Sequence, residues 1–237
     1  MSALIAVCGP DAVHLLTDAV RMTPDGIVWE ITRKQAILKN GAAAAGIGFS
    51  PACLRFAQLA DACAKNFDEM VAATPRLWAE ARSTLSTKEK ELRCAAVFAG
   101  WSEKGTRLKL HLILAEGGTY ADAVVYAAGP TESADVLVDP FVKRFAADPN
   151  SFDARRDGVE LMEGMRLHHP RQFGRLRWPA VGGFVQHTVI TRTDVETEII
   201  HHWPDTVGRH IELGMADLHK VCEVLQGTAS TSEHRRG

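Results

Sequence analysis

SALIAVCGPDAVHLLTDAV (residues 2–20) and TRKQAILKNGAAAAGIG (residues 32–48) decide the fold of this chain. Ser2 to Cys8 is an apolar run, Gly9-Pro10-Asp11 is turn chemistry, and Ala12 to Leu16 is a second apolar run, so the three together predict a β-hairpin. Lys34 to Leu38 and Ala42 to Gly46 flank Lys39-Asn40-Gly41, and Asn-Gly supplies the positive φ angles of a tight turn. Ser50-Pro51 then opens a helix, with Ser50 as cap and Pro51 in the first turn. A sheet beginning so near a chain end is unusual, because chain ends normally fray.

Ser2, Thr17-Asp18 at the close of the second strand, Lys34 at the opening of a third and the small-residue turn Ala45-Gly46-Ile47-Gly48 stand in an order and spacing that resemble the proteasome β-subunit family of N-terminal nucleophile (Ntn) hydrolases. Mature chains of that family begin with a Thr nucleophile, followed at fixed distances by an Asp, a Lys and a Gly. With Met1 removed, one ungapped register puts Ser2 on the nucleophile, Asp18 on the Asp, Lys34 on the Lys and Gly48 on the oxyanion Gly. The resemblance is clear over residues 2–60 and extends by pattern over the remainder. It implies an α+β fold, a four-layer αββα sandwich of two mainly antiparallel sheets between helix layers, and cleavage of a peptide or other amide bond without metal or organic cofactor. It also implies self-association, since such subunits assemble into rings.

The chemistry is coherent in its own terms. A Ser hydroxyl needs a base, and an N-terminal residue carries one in its α-amino group, whose reference pKa is about 7.7–8.0. A Lys held near the hydroxyl stabilises or carries the proton, an Asp fixes the Lys, and a backbone N–H in a Gly-rich turn faces the developing oxyanion. Asp18 and Lys34 are therefore expected on neighbouring strands within ion-pair reach. Burial would lower the pKa of Lys34 while the Asp18 charge would raise it, so the sequence leaves that direction open.

Two departures set the alternative. Active subunits of the family carry Asp-x-x-Ser-Gly-Gly; here Trp178-Pro179-Ala180-Val181-Gly182-Gly183 keeps the glycines but places Trp178 and Val181 at the Asp and Ser positions. A further supporting Ser is missing near Gly129-Pro130-Thr131. The second function class is accordingly a catalytically silent scaffold or binding protein with the same fold.

The rest of the 237-residue chain is consistent with one domain over residues 1–227 and a polar, disordered tail over 228–237. A net charge of -2 without a basic block argues against nucleic acid as partner. Apolar runs far short of a membrane span and the lack of a basic segment before Ser2–Cys8 argue against membrane insertion and export, so a cytoplasmic protein is expected. Cys8, Cys53, Cys63, Cys94 and Cys222 form no Cys-x-x-Cys pair and read as buried thiols. His168-His169 and His201-His202 lack metal-ligand spacing, and Gly46-Ile47-Gly48 lacks the third glycine of a dinucleotide fingerprint. Residues 51–85 read as helical with a fresh cap at Thr74-Pro75. Strands follow at 95–101, 108–115 and 121–127, helices over 133–169 with a break or start at Pro140, and a last strand pair at 183–191 and 196–203. Asp153 to Asp157 reads as a hydrated, mixed-charge face, and Trp203-Pro204-Asp205 as a strand end.

Overall fold

The Gly9-Pro10-Asp11 turn joins β1 (Leu4–Cys8) to β2 (Val13–Asp18) as an antiparallel pair, closed by the Gly9 amide donating to the Ala12 carbonyl at 2.9 Å. The computed structural model describes residues 3–23, 25–48, 50–83, 85–86, 94–114, 119–129, 135–168 and 179–213. Both faces of β1 are buried, which is why its sequence is continuously apolar instead of alternating. Leu4 and Ala6 pack with Leu15, Ala43, Val97 and Leu110, whereas Ile5 and Val7 pack with Phe141, Phe145 and Met162.

A second pair, β3 (Val20–Met22) and β4 (Val28–Ile31), forms a small two-stranded sheet that the sequence reading missed. The elements β5 (Gln35–Ile37), β6 (Ala43–Gly48), β7 (Cys94–Ser102), β8 (Arg107–Leu114) and β9 (Thr119–Ala123) make one five-stranded antiparallel sheet in sequence order. Strands β10 (Val125–Ala128), β11 (Phe184–Ile190) and β12 (Val195–His202) join the first hairpin in the other, ordered β10-β1-β2-β11-β12. The single strand expected at 121–127 is thus two: the chain leaves one sheet at Ala123 and enters the other at Val125.

Helices α1 (Ser50–Cys63) and α2 (Phe67–Ser83) bury Phe56, Met70, Leu77 and Trp78 with Phe98 and Ile113 of the second sheet. The fresh cap expected at Thr74-Pro75 does not form: Pro75 lies inside α2, and the Thr74 hydroxyl donates to the Met70 carbonyl at 3.0 Å. The break falls instead before Phe67, where the Asn66 side chain caps the Glu69 amide at 2.9 Å. Pro140 likewise sits within α3 (Asp135–Ala147) and neither breaks nor starts it. A 3₁₀ turn (Pro149–Ser151) and a π-helical turn (Ala154–Gly158) lead into α4 (Val159–His168).

Asp153, Arg155 and Arg156 form the hydrated, ion-paired face expected, and Asp157 departs from it by being buried. The Asp153 carboxylate accepts from the Arg155 and Arg156 amides, and Asp157 is buried, held by Arg156 and Arg144. The Arg156 guanidinium keeps the Asp157 carboxyl below the usual carboxylate range. Beneath this turn His14 and His187 stack, with His14 Nδ1 3.0 Å from His187 Nε2. Cys63 is exposed, against the expectation of buried thiols, while burial pushes the Cys8 thiol up to about 11. Among the described residues no helix is long and apolar enough to cross a membrane. The tail at 228–237 lies outside the described residues.

Candidate functional site

Asp18 closes β2 with none of its surface exposed, and from Val20 the chain continues in the separate two-stranded sheet. Its carboxylate is fully engaged. The Ala3 amide donates to Oδ1 at 2.9 Å and the Val20 amide to Oδ2 at 3.3 Å. The Lys34 ammonium donates to both oxygens, at 2.9 and 3.0 Å. Lys34 immediately precedes β5, so the two charges come from different sheets and not from neighbouring strands as expected. Burial outweighs the attraction of Asp18 and lowers the pKa of Lys34, with Arg21 lowering it further.

Two glutamines lock Lys34 in place. The Lys34 backbone amide donates to Gln186 Oε1 at 3.2 Å. Gln35 Nε2 reaches the Gln186 carbonyl at 2.9 Å, Thr17 Oγ1 at 3.2 Å and the Leu15 carbonyl at 3.3 Å, tying the start of β5 to β2 and β11. Sequence reasoning missed both. Gln186 lies in a stretch of β11, Val185 to Thr188, that is buried on both faces, so strand alternation does not single it out.

Gly48 ends β6 with φ of +84°, a left-handed conformation that favours glycine, and lines the same cleft as Lys34. The cleft holds about 200 Å³ between β3, β5, β6 and α1. Ser2, the expected nucleophile, lies outside the described residues, as do Trp178 and Thr131. The amide on Asp18 is nonetheless that of the peptide bond linking residues 2 and 3.

The Gly182-Gly183 turn is braced differently from the family pattern. Val181 is fully buried in the apolar cluster beneath α3 and α4. A bidentate pair takes over: Arg166 donates to Asp205 at 2.9 and 2.7 Å, both side chains almost wholly buried. Arg166 also donates to the Val181 carbonyl at 2.7 Å, and Asp205 accepts from the Gly183 amide at 2.7 Å. The Gly182 carbonyl in turn accepts from the Ala19 amide at 3.0 Å, one residue from Asp18. Asp205 is therefore no mere strand end. Its partner stands 39 residues away in the chain, a separation that no local motif reveals.

The likeness of this chain to a solved structure is one of fold alone. Among solved structures the chain is similar to the Anbu (Gly-1) mutant from Hyphomicrobium sp. strain MC1, with a TM-score of 0.62 and 14% identity over 100% of this chain and 98% of that one. No protein-family model and no curated protein matches the chain.

Proposed function

We propose that the chain is a proteasome-like Ntn hydrolase cleaving a peptide or other amide bond, with Ser2 as nucleophile after removal of Met1. The observation that carries this reading is the buried Asp18–Lys34 pair, anchored to the amide that follows residue 2 and opening on a cleft. In the proposed reaction Ser2 Oγ bonds to the substrate carbonyl carbon while the α-amine takes the hydroxyl proton. The oxyanion faces the Gly48 N–H, and the Lys34 ammonium stabilises the developing charge. Collapse breaks the C–N bond, and the proton passes to the departing amine. Water then hydrolyses the ester, releasing the acid and restoring the hydroxyl. These steps use no metal or organic cofactor.

Three apolar clusters, one between the sheets and one under each helix pair, support reading the architecture as a four-layer αββα sandwich forming one domain over residues 1–227. Cytoplasmic location and self-association are further parts of this proposal, the latter carried by the family resemblance.

Val181, packed in an apolar cluster where the family pattern calls for Ser, favours a second reading, a catalytically silent scaffold. The two separate on treatment with a β-lactone or another serine-reactive electrophile, followed by peptide mapping. The hydrolase reading expects one adduct, on Ser2, that Ser2→Ala abolishes with little change in Tm. A parent chain that neither labels nor turns over amide substrates makes it the scaffold.

A further inference from the structure

We propose that a second cavity, at the opposite end of the β1–β2 hairpin from Asp18, binds a small aromatic monoanion such as an aryl carboxylate, with Arg107 and the Arg192–Trp101 pair as its recognising groups. The site stands apart from the cleft beside Lys34 and does not rest on the hydrolase reading.

Strand register fixes where this cavity lies. Leu4 pairs with Thr17, next to Asp18, and Cys8 pairs with Val13 at the other end of the hairpin, roughly 13 Å of strand away. There Cys8, the Gly9-Pro10-Asp11 turn, the start of β8, the end of β9 and the turn between β11 and β12 enclose about 890 Å³. Ala146 of α3 and Pro149 of the 3₁₀ turn border the same space. Its floor is the open end of the apolar cluster between the two sheets. Leu108 and Leu110 are buried members of that cluster, and Trp101 and Ala123 pack against it half-buried. The volume falls within the roughly 300–1,000 Å³ of small-molecule pockets.

Charge selects the occupant. Among the described residues Arg107, Lys109 and Arg192 line the cavity against Asp11 and Asp122, which leaves one positive charge in excess. Lys109 is committed, 3.0 Å from the Asp122 carboxylate, which also meets His111 at 3.2 Å. Arg107 makes no ion pair or hydrogen bond among the described residues. The Arg192 guanidinium lies over the Trp101 ring, 4.9 Å from its centroid, and has no carboxylate partner there either. Cys8 adds no charge: burial pushes its thiol up to about 11, so it stays protonated at neutral pH. One acid group therefore balances the wall, whereas a dianion such as a phosphate monoester would be repelled by Asp11 and Asp122. The aromatic body follows from Trp101 and Arg192, because an indole with a guanidinium over it gives a polarisable wall beside an apolar floor. An organic ammonium is repelled, and a neutral arene gains nothing from Arg107.

Anilinonaphthalene sulfonate, an aromatic monoanion that brightens in apolar surroundings, is the probe, titrated into the full-length chain. It is expected to bind at one site, about tenfold more tightly than phenylnaphthylamine, the same skeleton without the acid; that is the scale of one charge-assisted hydrogen bond. Naphthoate should displace the dye and naphthylmethanol should not. Added salt should weaken binding, because both guanidiniums are exposed. Arg107→Ala and Arg192→Ala should each weaken it several-fold, with a Tm measurement confirming that both variants fold as the parent does. Arg33→Ala, in the cleft beside Lys34, should bind the dye as the parent does. No binding, equal affinity for the charged and neutral dyes, failure of naphthoate to compete, or affinity unchanged by Arg107→Ala and Arg192→Ala overturns the proposal. So does a loss in Arg33→Ala, which puts the dye in the other cleft. Dye binding in a parent chain that never labels at Ser2 defeats the hydrolase reading alone and leaves this site standing.

Discussion

Lys34 reaches across from the second sheet to hold both oxygens of Asp18 at 2.9 and 3.0 Å, so one ion pair joins the end of β2 to the start of β5. Asp18 has no exposed surface, and water cannot replace a lost partner. Lys34→Ala should therefore destabilise the chain by about 3–5 kcal/mol, the cost of stranding a buried charge. Urea denaturation measures this. The double variant Asp18→Asn/Lys34→Met should recover much of the loss, because it leaves no uncompensated charge. A Lys34→Ala loss below about 1 kcal/mol would contradict the buried pairing.

Intact mass of the purified chain is expected to lack Met1, since Ser2 has a small side chain and the proposed base is its free amine. Retained Met1 or an acetylated Ser2 counts directly against hydrolysis and leaves the fold untouched.

Arg166 and Asp205 should behave as one unit. Each is almost fully buried, and together they fasten the Gly182-Gly183 turn. Arg166→Met and Asp205→Asn are each expected to destabilise, with a coupling energy of about 2 kcal/mol in a double-mutant cycle. Amide exchange at Gly183 and Ala19 should accelerate in either variant, because those hydrogens sit in the braced network. Unchanged exchange at both would show that the turn holds without the pair.

His14 supplies a pH signature. Burial first, and then neighbouring His187, push it down to about 4 from an ordinary 6.5. Phe152 packs against its ring, Asp153 acts in the opposite sense, and Glu198, paired with Arg155, faces His187. A group with a depressed folded-state pKa contributes fully above its unfolded value. The contribution falls away as pH drops from about 6.5 towards 4, where the unfolded chain takes the proton first. Tm measured over that window should fall less steeply in His14→Gln than in the parent. Identical slopes would mean that His14 is not the group responsible.

Local physics made the first hairpin legible: a continuous apolar run, a Gly-Pro-Asp turn and a second run allow few other structures over residues 2–18. The same holds for β5–β6 around Asn40-Gly41 and for the β7–β8 hairpin, where Leu108, Leu110 and Leu112 enter the core between sheets while Lys109 and His111 pair with Asp122. The spacing of Asp18, Lys34 and Gly48 was also present in the sequence. Tertiary structure decided that Asp18 and Lys34 meet from different sheets, that the strand around Val124 divides between the two, and that Thr74-Pro75 stays inside α2. It alone joined Gln35 to Gln186 and Arg166 to Asp205. The reason is range. Hydrophobic period and turn preference act over a few residues and are written in neighbouring letters. A buried polar group must find its partner wherever packing brings one, at separations of 39 or 151 residues.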